Sequence, residues 1–204
     1  LTKSIYKYGG FYIGRYEAGS KTERTKESAN TVTTLGIKQD MYPYNYVKWG
    51  ESMSNIGEVG AVALSNSLYN SSNYGATSML CTGACWDSML DFIKDEEHNV
   101  TNSTEWGNYK DSGTYKIYRG SIYSNSAWSL ADVTNGTDIK QNQTILLTAG
   151  ATERNSAKNI YDVAGNCWEW TTESISSDRR VVRGGDYGNN GFTYPAYFRV
   201  NSSP

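Results

Sequence analysis

Asp162 and Glu169 lie close together in the stretch NIYDVAGNCWEWTTE (Asn159–Glu173), around a Gly-Asn pair and beside two tryptophans. Carboxylates placed so near aromatic side chains suit three kinds of chemistry. One is general acid–base work, in which burial lifts one carboxyl into the working range. A second is a metal site, since carboxylate oxygens are ligands for hard cations. The third is only a packed corner, where Asp162 and Glu169 cap turns or pair with arginines such as Arg180, Arg183 or Arg199. Within the run, Gly165 supplies a turn conformation that a Cβ disfavours, and Asn166 is placed to bond neighbouring backbone. Trp168 and Trp170 are expected in the core, one wedged between helices and one under a following strand, each seeking a partner for its indole N–H.

The remaining reactive side chains are few. The chain has 3 cysteines and 1 histidine. Cys81 and Cys85 sit in CTGAC at an expected helix start, a spacing poor for a disulfide and not by itself a zinc signature. Cys167 is expected to be a small buried hydrophobe. His98, inside the charged run KDEEHN, is expected at the solvated surface.

Composition narrows the function classes. A formal net charge of −2 and an isoelectric point near 5.5 give no reason to expect nucleic acid as a partner. No apolar run approaches a membrane span, so no membrane insertion is expected. The chain opens on Leu1 without a visible signal peptide, which suggests a piece of something longer. The 17 tyrosines and 20 glycines, with many Asn and Ser, imply short strands and many turns. Tyr with Ser, Gly and Asn is also the vocabulary of recognition surfaces, although an AT-rich gene gives a similar bias.

Several elements can be placed. Tyr8–Gly19 (YGGFYIGRYEAG) reads as a strand between glycine turns. Lys21–Ser28 reads as a solvated loop or edge. Val47–Tyr69 carries Met53, Ile56, Ala63, Leu64 and Leu68 at helical spacing despite internal glycines. Thr82–Glu97 is the clearest helix, with Trp86, Met89, Leu90 and Ile93 on one face and Thr82 as N-cap. From Asn99 to Thr144 the chain is polar, with isolated aromatics that should pin irregular coil and short strands to a core. Arg180–Gly185 (RVVRGG) and Tyr197–Val200 (YFRV) read as two strands with a presented loop between them. No linker or repeat is visible, so residues 1–204 are read as a single domain.

Five segments in order, FYIGRYEAG, YPYNYVKWGESM, SMLCTGACWDSMLDFI, NIYDVAGNCWEWTTE and RVVRGGDY…YFRV, resemble the formylglycine-generating enzyme (sulfatase-modifying factor) family. The third is similar to that family's RLPTEAEWE helix, the fourth to LYDMAGNVWEW and the fifth to RGGSW…R. The resemblance implies an α+β, C-type lectin-like fold with two helices, short antiparallel strands and much irregular coil. It also implies a structural calcium held by side chains of Asp162 and Glu169 and carbonyls of Gly165 and Cys167. The family's oxidase binds copper through two cysteines after RGG, but Asp186–Val200 contains none, and one histidine cannot supply the iron site of the sulfoxide-forming branch. Neither copper nor iron is expected, and the chain is expected not to be an enzyme. The alternative is a formylglycine-type oxidase or another activity on the same fold.

A lectin-like scaffold without the catalytic pair resembles the variable proteins of diversity-generating retroelements, found on phage virions and bacterial cell surfaces. Every residue type from Asp186 to Phe198 is reachable by rewriting the first two bases of an adenine-led Asn codon. Lys, Glu, Gln, Met and Trp, which are not, are absent there. The expected function is therefore non-catalytic recognition of a protein or cell-surface glycan. The expected binding face comprises Asp186, Tyr187, Asn189, Asn190, Phe192, Thr193, Tyr194 and Tyr197, on strands that hold its shape. A purely structural module, with those tyrosines closing the core, is the third reading.

Overall fold

A computed structural model describes residues 2–23, 35–50, 60–69 and 71–203. The described part is mixed α+β, with short antiparallel strands joined by long irregular segments. Its helices are α1 (Thr2–Tyr8), α2 (Ala61–Leu68), α3 (Ser71–Tyr74) and α4 (Gly83–Ile93). Two helices were expected. The short α1 and α3 are additional, and α2 begins only at Ala61. Met53 and Ile56, expected on that helix, lie outside the described residues, as does part of the Lys21–Ser28 stretch.

Helix α4 forms as its pattern dictates. Thr82 caps it, its side chain accepting from the Cys85 N–H at 3.0 Å, which satisfies one of the unpaired donors of the first turn. Trp86, Met89, Leu90 and Ile93 are all buried and join Trp106, Tyr109, Val163 and Ala196 in the main core. The Trp86 indole donates to the Ala196 carbonyl at 3.0 Å, tying the helix to the C-terminal loop.

Strands β1 (Gly19–Ser20), β2 (Leu35–Gly36) and β3 (Tyr42–Pro43) form one small sheet, ordered β2-β1-β3. The strand expected over Tyr8–Gly19 is not formed. Residues 11–18 bond different segments one at a time: Tyr161 donates to the Arg15 carbonyl at 2.8 Å and Tyr44 to that of Ala18 at 2.9 Å.

The polar region after Asn99 is ordered. It contains β4 (Tyr115–Ile117), β5 (Ser121–Ser124), β6 (Ala127–Leu130) and β7 (Thr137–Ile139). Then follow β8 (Leu146–Leu147), β9 (Ser156–Ala157) and β10 (Ile160–Tyr161). Ile117, Ile139, Ile145 and Leu147 make a second apolar cluster. His98 belongs to this framework rather than to open solvent. Its ring bonds Asp95 Oδ1 at 2.8 Å and the Ser156 carbonyl at 3.0 Å, and it meets Trp106 edge-on at 5.5 Å.

The last sheet, ordered β11-β12-β13, consists of β11 (Glu169–Ser176), β12 (Arg179–Arg183) and β13 (Val200–Ser202). The final strand starts at Val200, so most of the expected YFRV strand belongs to the preceding loop.

Candidate functional site: a cavity beside a buried carboxylate cluster

The Gly-Asn pair is a junction between distant parts of the chain. Gly165 has φ +75°, and a Cβ there would stand 2.2 Å from the Asn108 carbonyl oxygen. Asn166, also at positive φ (59°), is fully buried. Its Oδ1 accepts from Asn108 Nδ2 at 2.9 Å and from the Leu147 N–H at 3.0 Å. Its Nδ2 donates to Glu17 Oε2 at 2.7 Å and to the Leu147 carbonyl at 3.2 Å. The side chain thus bonds remote segments, not the neighbouring backbone expected from sequence.

Glu17 is the residue that sequence reading missed. It joins Asp162 and Glu169 in a group of carboxyls close enough to perturb one another. Burial and repulsion from Asp162 hold Glu17 well above the usual carboxylate range. Burial, with the charges of Glu17 and Asp162, does the same to Glu169. Burial pushes Asp162 up to about 7, although the Gly150 N–H donates to its Oδ2 at 2.7 Å. Glu17 Oε1, Asp162 Oδ1 and Glu169 Oε2 are buried without a hydrogen-bond partner.

The arginines that might have neutralised this cluster are engaged elsewhere. Arg183 and Arg199 pair with Asp87 and Glu173, while Arg180 covers the Trp49 ring at 4.3 Å and bonds backbone carbonyls. No salt bridge reaches the three acids among the described residues. Those residues also contain no group of three or more His, Cys, Asp or Glu side chains gathered as a metal site. The calcium set expected from sequence is of another kind, two carboxylates plus the Gly165 and Cys167 carbonyls, and the unpartnered Asp162 and Glu169 oxygens suit it chemically.

Beside the cluster opens a cavity of about 1920 Å³, and four of the eight expected binding residues line it: Asp186, Tyr187, Asn189 and Tyr194. Trp168 and Trp170 line it too, half-buried rather than in the core. The Trp170 indole donates to the Val47 carbonyl at 2.8 Å, and that of Trp168 lies near Asp186 and favours its charged form. Trp168 and Tyr194 meet edge-on at 5.7 Å, while the Tyr187 hydroxyl is hydrogen-bonded with Tyr46.

The other four expected residues do not line the cavity. Phe192 is 71% and Tyr197 47% exposed, Thr193 is exposed, and Asn190 is partly covered, with a buried Oδ1 that lacks a partner.

Between β12, which forms much as expected, and β13 the loop itself contains no strand, and single hydrogen bonds hold its shape. Gly188 N–H donates to Asp186 Oδ1 at 2.8 Å and Gly191 N–H to Asp111 Oδ1 at 2.9 Å. Ser103 N–H donates to the Gly191 carbonyl at 3.0 Å, and Lys110 N–H to that of Asn189 at 3.1 Å. The polar segment after Asn99 is the loop's buttress.

The three cysteines are free. Cys167 is half-buried at the cavity wall. Burial pushes its thiol pKa up, as do the charges of Glu17, Glu169 and Asp186. Burial likewise pushes Cys81 up to about 12, helped by Cys85. Nucleophilic or metal-binding sulfur needs the thiolate, and these surroundings oppose it.

Residues 128–204 match the family model of the sulfatase-modifying factor enzyme 1-like domain. The C-terminal part of the chain is therefore similar to that family. The matched region includes Asp162, Glu169, Trp168 and the whole Asp186–Tyr197 loop. Helix α4 and Glu17 lie outside it. Neither a curated protein nor a solved structure was found to match the chain. No described helix is long and apolar enough to cross a membrane.

Proposed function

We propose that this chain is a non-catalytic ligand-binding module of C-type lectin-like fold, and that its recognition site is the cavity mouth formed by Trp168, Asp186, Tyr187, Asn189 and Tyr194. One observation carries this reading. Four of the eight loop residues expected to recognise a ligand converge with a tryptophan on a single cavity, where burial and neighbouring acids push the pKa of the adjacent thiol up. Rigid aromatic walls with a few polar groups are what a binding pocket needs. The ligand is a cell-surface glycan or protein, as suits display on a phage virion or bacterial surface. Titration of hits from glycan and protein arrays tests the placement. Tyr187→Ala should weaken binding at least tenfold, since aromatic anchors in pockets dominate affinity. Unchanged affinity places recognition elsewhere, and copper-dependent oxidation of a cysteinyl peptide by the purified chain restores the oxidase.

Retroelement diversification would have restricted room. Ala196 is fully buried, and a Cβ at Gly191 would stand 2.6 Å from Thr104 Cα. Variation compatible with the fold falls on Tyr187, Asn189, Asn190, Phe192, Thr193 and Tyr197. A template repeat beside a reverse-transcriptase gene, differing at adenines in those codons, tests it.

A structural calcium belongs to the same reading. Asp162 and Glu169 side chains and the Gly165 and Cys167 carbonyls would hold it, and its charge would offset the buried acids. Its support is the set of unpartnered carboxylate oxygens. Thermal melts decide the matter. Calcium should raise Tm at pH 7.5, and its gain should shrink by pH 5 as protons compete for the ligands. In chelator the slope should reverse. Carboxyls whose folded pKa is raised bind protons more tightly folded than unfolded, so their stabilisation is complete near pH 4 and is lost as pH climbs through about 7 for Asp162. A melt at pH 7.5 that ignores both chelator and calcium removes the ion.

A further inference from the structure

We propose that the cavity recognises an organic cation, an alkylammonium head group seated between the Asp186 carboxylate and the rings of Trp168 and Tyr187. This rests on the ligand-binding reading above and names the chemistry of the ligand.

Three acids, Glu17, Glu169 and Asp186, line the cavity, and so do three basic residues, Lys3, Lys7 and Arg15, none of which is paired with them among the described residues. Asp186 accepts from the Gly188 N–H at 2.8 Å, and the Trp168 indole nearby favours its charged form. Neutral donors fix its orientation but leave its charge uncompensated. Calcium bound through Asp162 and Glu169 would neutralise the deeper acids and leave this carboxylate as the cavity's own anion.

The rings add the second half of the argument. Trp168, Tyr187 and Tyr194 line the cavity together with Tyr46. Elsewhere in the chain, cations already sit on rings: Arg180 on Trp49 at 4.3 Å, Arg154 on Tyr115 at 4.5 Å and Lys158 on Phe92 at 4.9 Å. Among the described residues none stacks on Trp168, Tyr187 or Tyr194. An aromatic wall beside a half-buried carboxylate favours a cation over a neutral molecule of equal shape, because the ring quadrupole and the carboxylate attract it together. A neutral sugar would use the rings and hydrogen bonds but leave the charge unmatched.

The ammonium group can come from a lysine side chain of a protein partner or from a quaternary amine such as choline. Titrations followed by tryptophan fluorescence and by the indole NMR signal of Trp168 separate these. The probes are choline, Nα-acetyl-lysine amide, and 3,3-dimethylbutan-1-ol, the neutral isostere of choline. At least one cation should bind saturably and at least tenfold more tightly than the isostere. Which cation binds more tightly identifies the source. Asp186→Asn should weaken the cation about tenfold and leave the isostere unchanged. Asp91→Asn, an exposed carboxylate outside the cavity, should alter nothing.

Equal affinity for cation and isostere, or no saturable binding of either cation, overturns the proposal. A neutral saccharide that saturates the Trp168 signal while the cations do not would overturn it too, yet leave the binding module standing. A ligand whose affinity ignores Tyr187→Ala would instead remove the site itself.

Discussion

Asn166→Ala should lower stability by roughly 3–5 kcal/mol. The amide is fully buried and uses both its ends. Truncation leaves the Leu147 N–H without an acceptor and Glu17 Oε2 without its donor. Each stranded buried polar group costs about 1–3 kcal/mol. Asn108 Nδ2 is less exposed to loss, because it also donates to the Ile145 carbonyl at 2.9 Å. A residue with a Cβ at φ +59° adds backbone strain that Asn tolerates better than Ala. For a domain of this length the loss corresponds to a Tm drop on the order of 10 °C. Asn166→Asp should be no milder, since it exchanges the donor facing Glu17 for a further carboxylate. A melt within 2 °C of the parent, roughly under 1 kcal/mol, would mean that Asn166 does not hold these segments together.

Arg183→Ala should cost about 3 kcal/mol. The side chain is completely buried, yet charged. Its Nη2 donates to Asp87 Oδ1 at 2.6 Å, its Nη1 lies 3.9 Å from Glu173 Oε1, and its guanidinium sits 5.7 Å from the Trp86 ring centre. Removal would leave a large void beside Trp86 and one arginine, Arg199, for two acids. Arg199 already pairs with Asp87 at 2.5 Å and Glu173 at 3.2 Å, and Asp87 is half exposed, so the loss stays below that of stranding a fully buried charge. Gly83 belongs to the arrangement, because a Cβ there would stand 1.8 Å from Glu173 Oε1. The first residue of α4 is open so that a carboxylate can approach the positive end of the helix. Arg183→Lys should recover less than half of the loss, since a single ammonium cannot address both acids and stack on the indole. Denaturant titration of the two variants measures the difference. Equal stability of Arg183→Lys and the parent would show that charge alone matters here.

Some of this was legible from residue order and some was not, for identifiable reasons. Helix α4 could be read because its signal is local: four apolar residues at helical spacing, and a threonine one position before the start. The Gly165 turn could be read because only glycine tolerates that backbone pressed against Asn108. The loop around Asp186 announced itself by composition, but its split into cavity-lining and outward-facing members did not. That split depends on which side chains fold back over Trp168, a matter of contacts to residues 103–111. The run over Tyr8–Gly19 looked like a strand because glycines and aromatics imitate one. It forms no ladder because its partners are scattered single bonds.

Glu17 is the clearest miss. Its only signal was an acid set in an otherwise apolar, aromatic segment, and nothing nearby indicates that it meets Asn166, 149 positions away. The tryptophans show the same limit. Sequence requires that indoles find apolar surroundings and a hydrogen-bond partner, and both conditions are met at a cavity wall as well as in a core.

By itself, then, the order of residues determined the capped helix, the glycine turn and the absence of thiols from the terminal loop, because each depends on backbone chemistry or on which atoms are present. Only tertiary structure decided that Glu17, Asp162 and Glu169 share one place without a basic partner among the described residues, and that Asp186, Tyr187, Asn189 and Tyr194 line one cavity with Trp168. Electrostatics and burial act through space, and the distances that set them exist only once the chain has closed on itself.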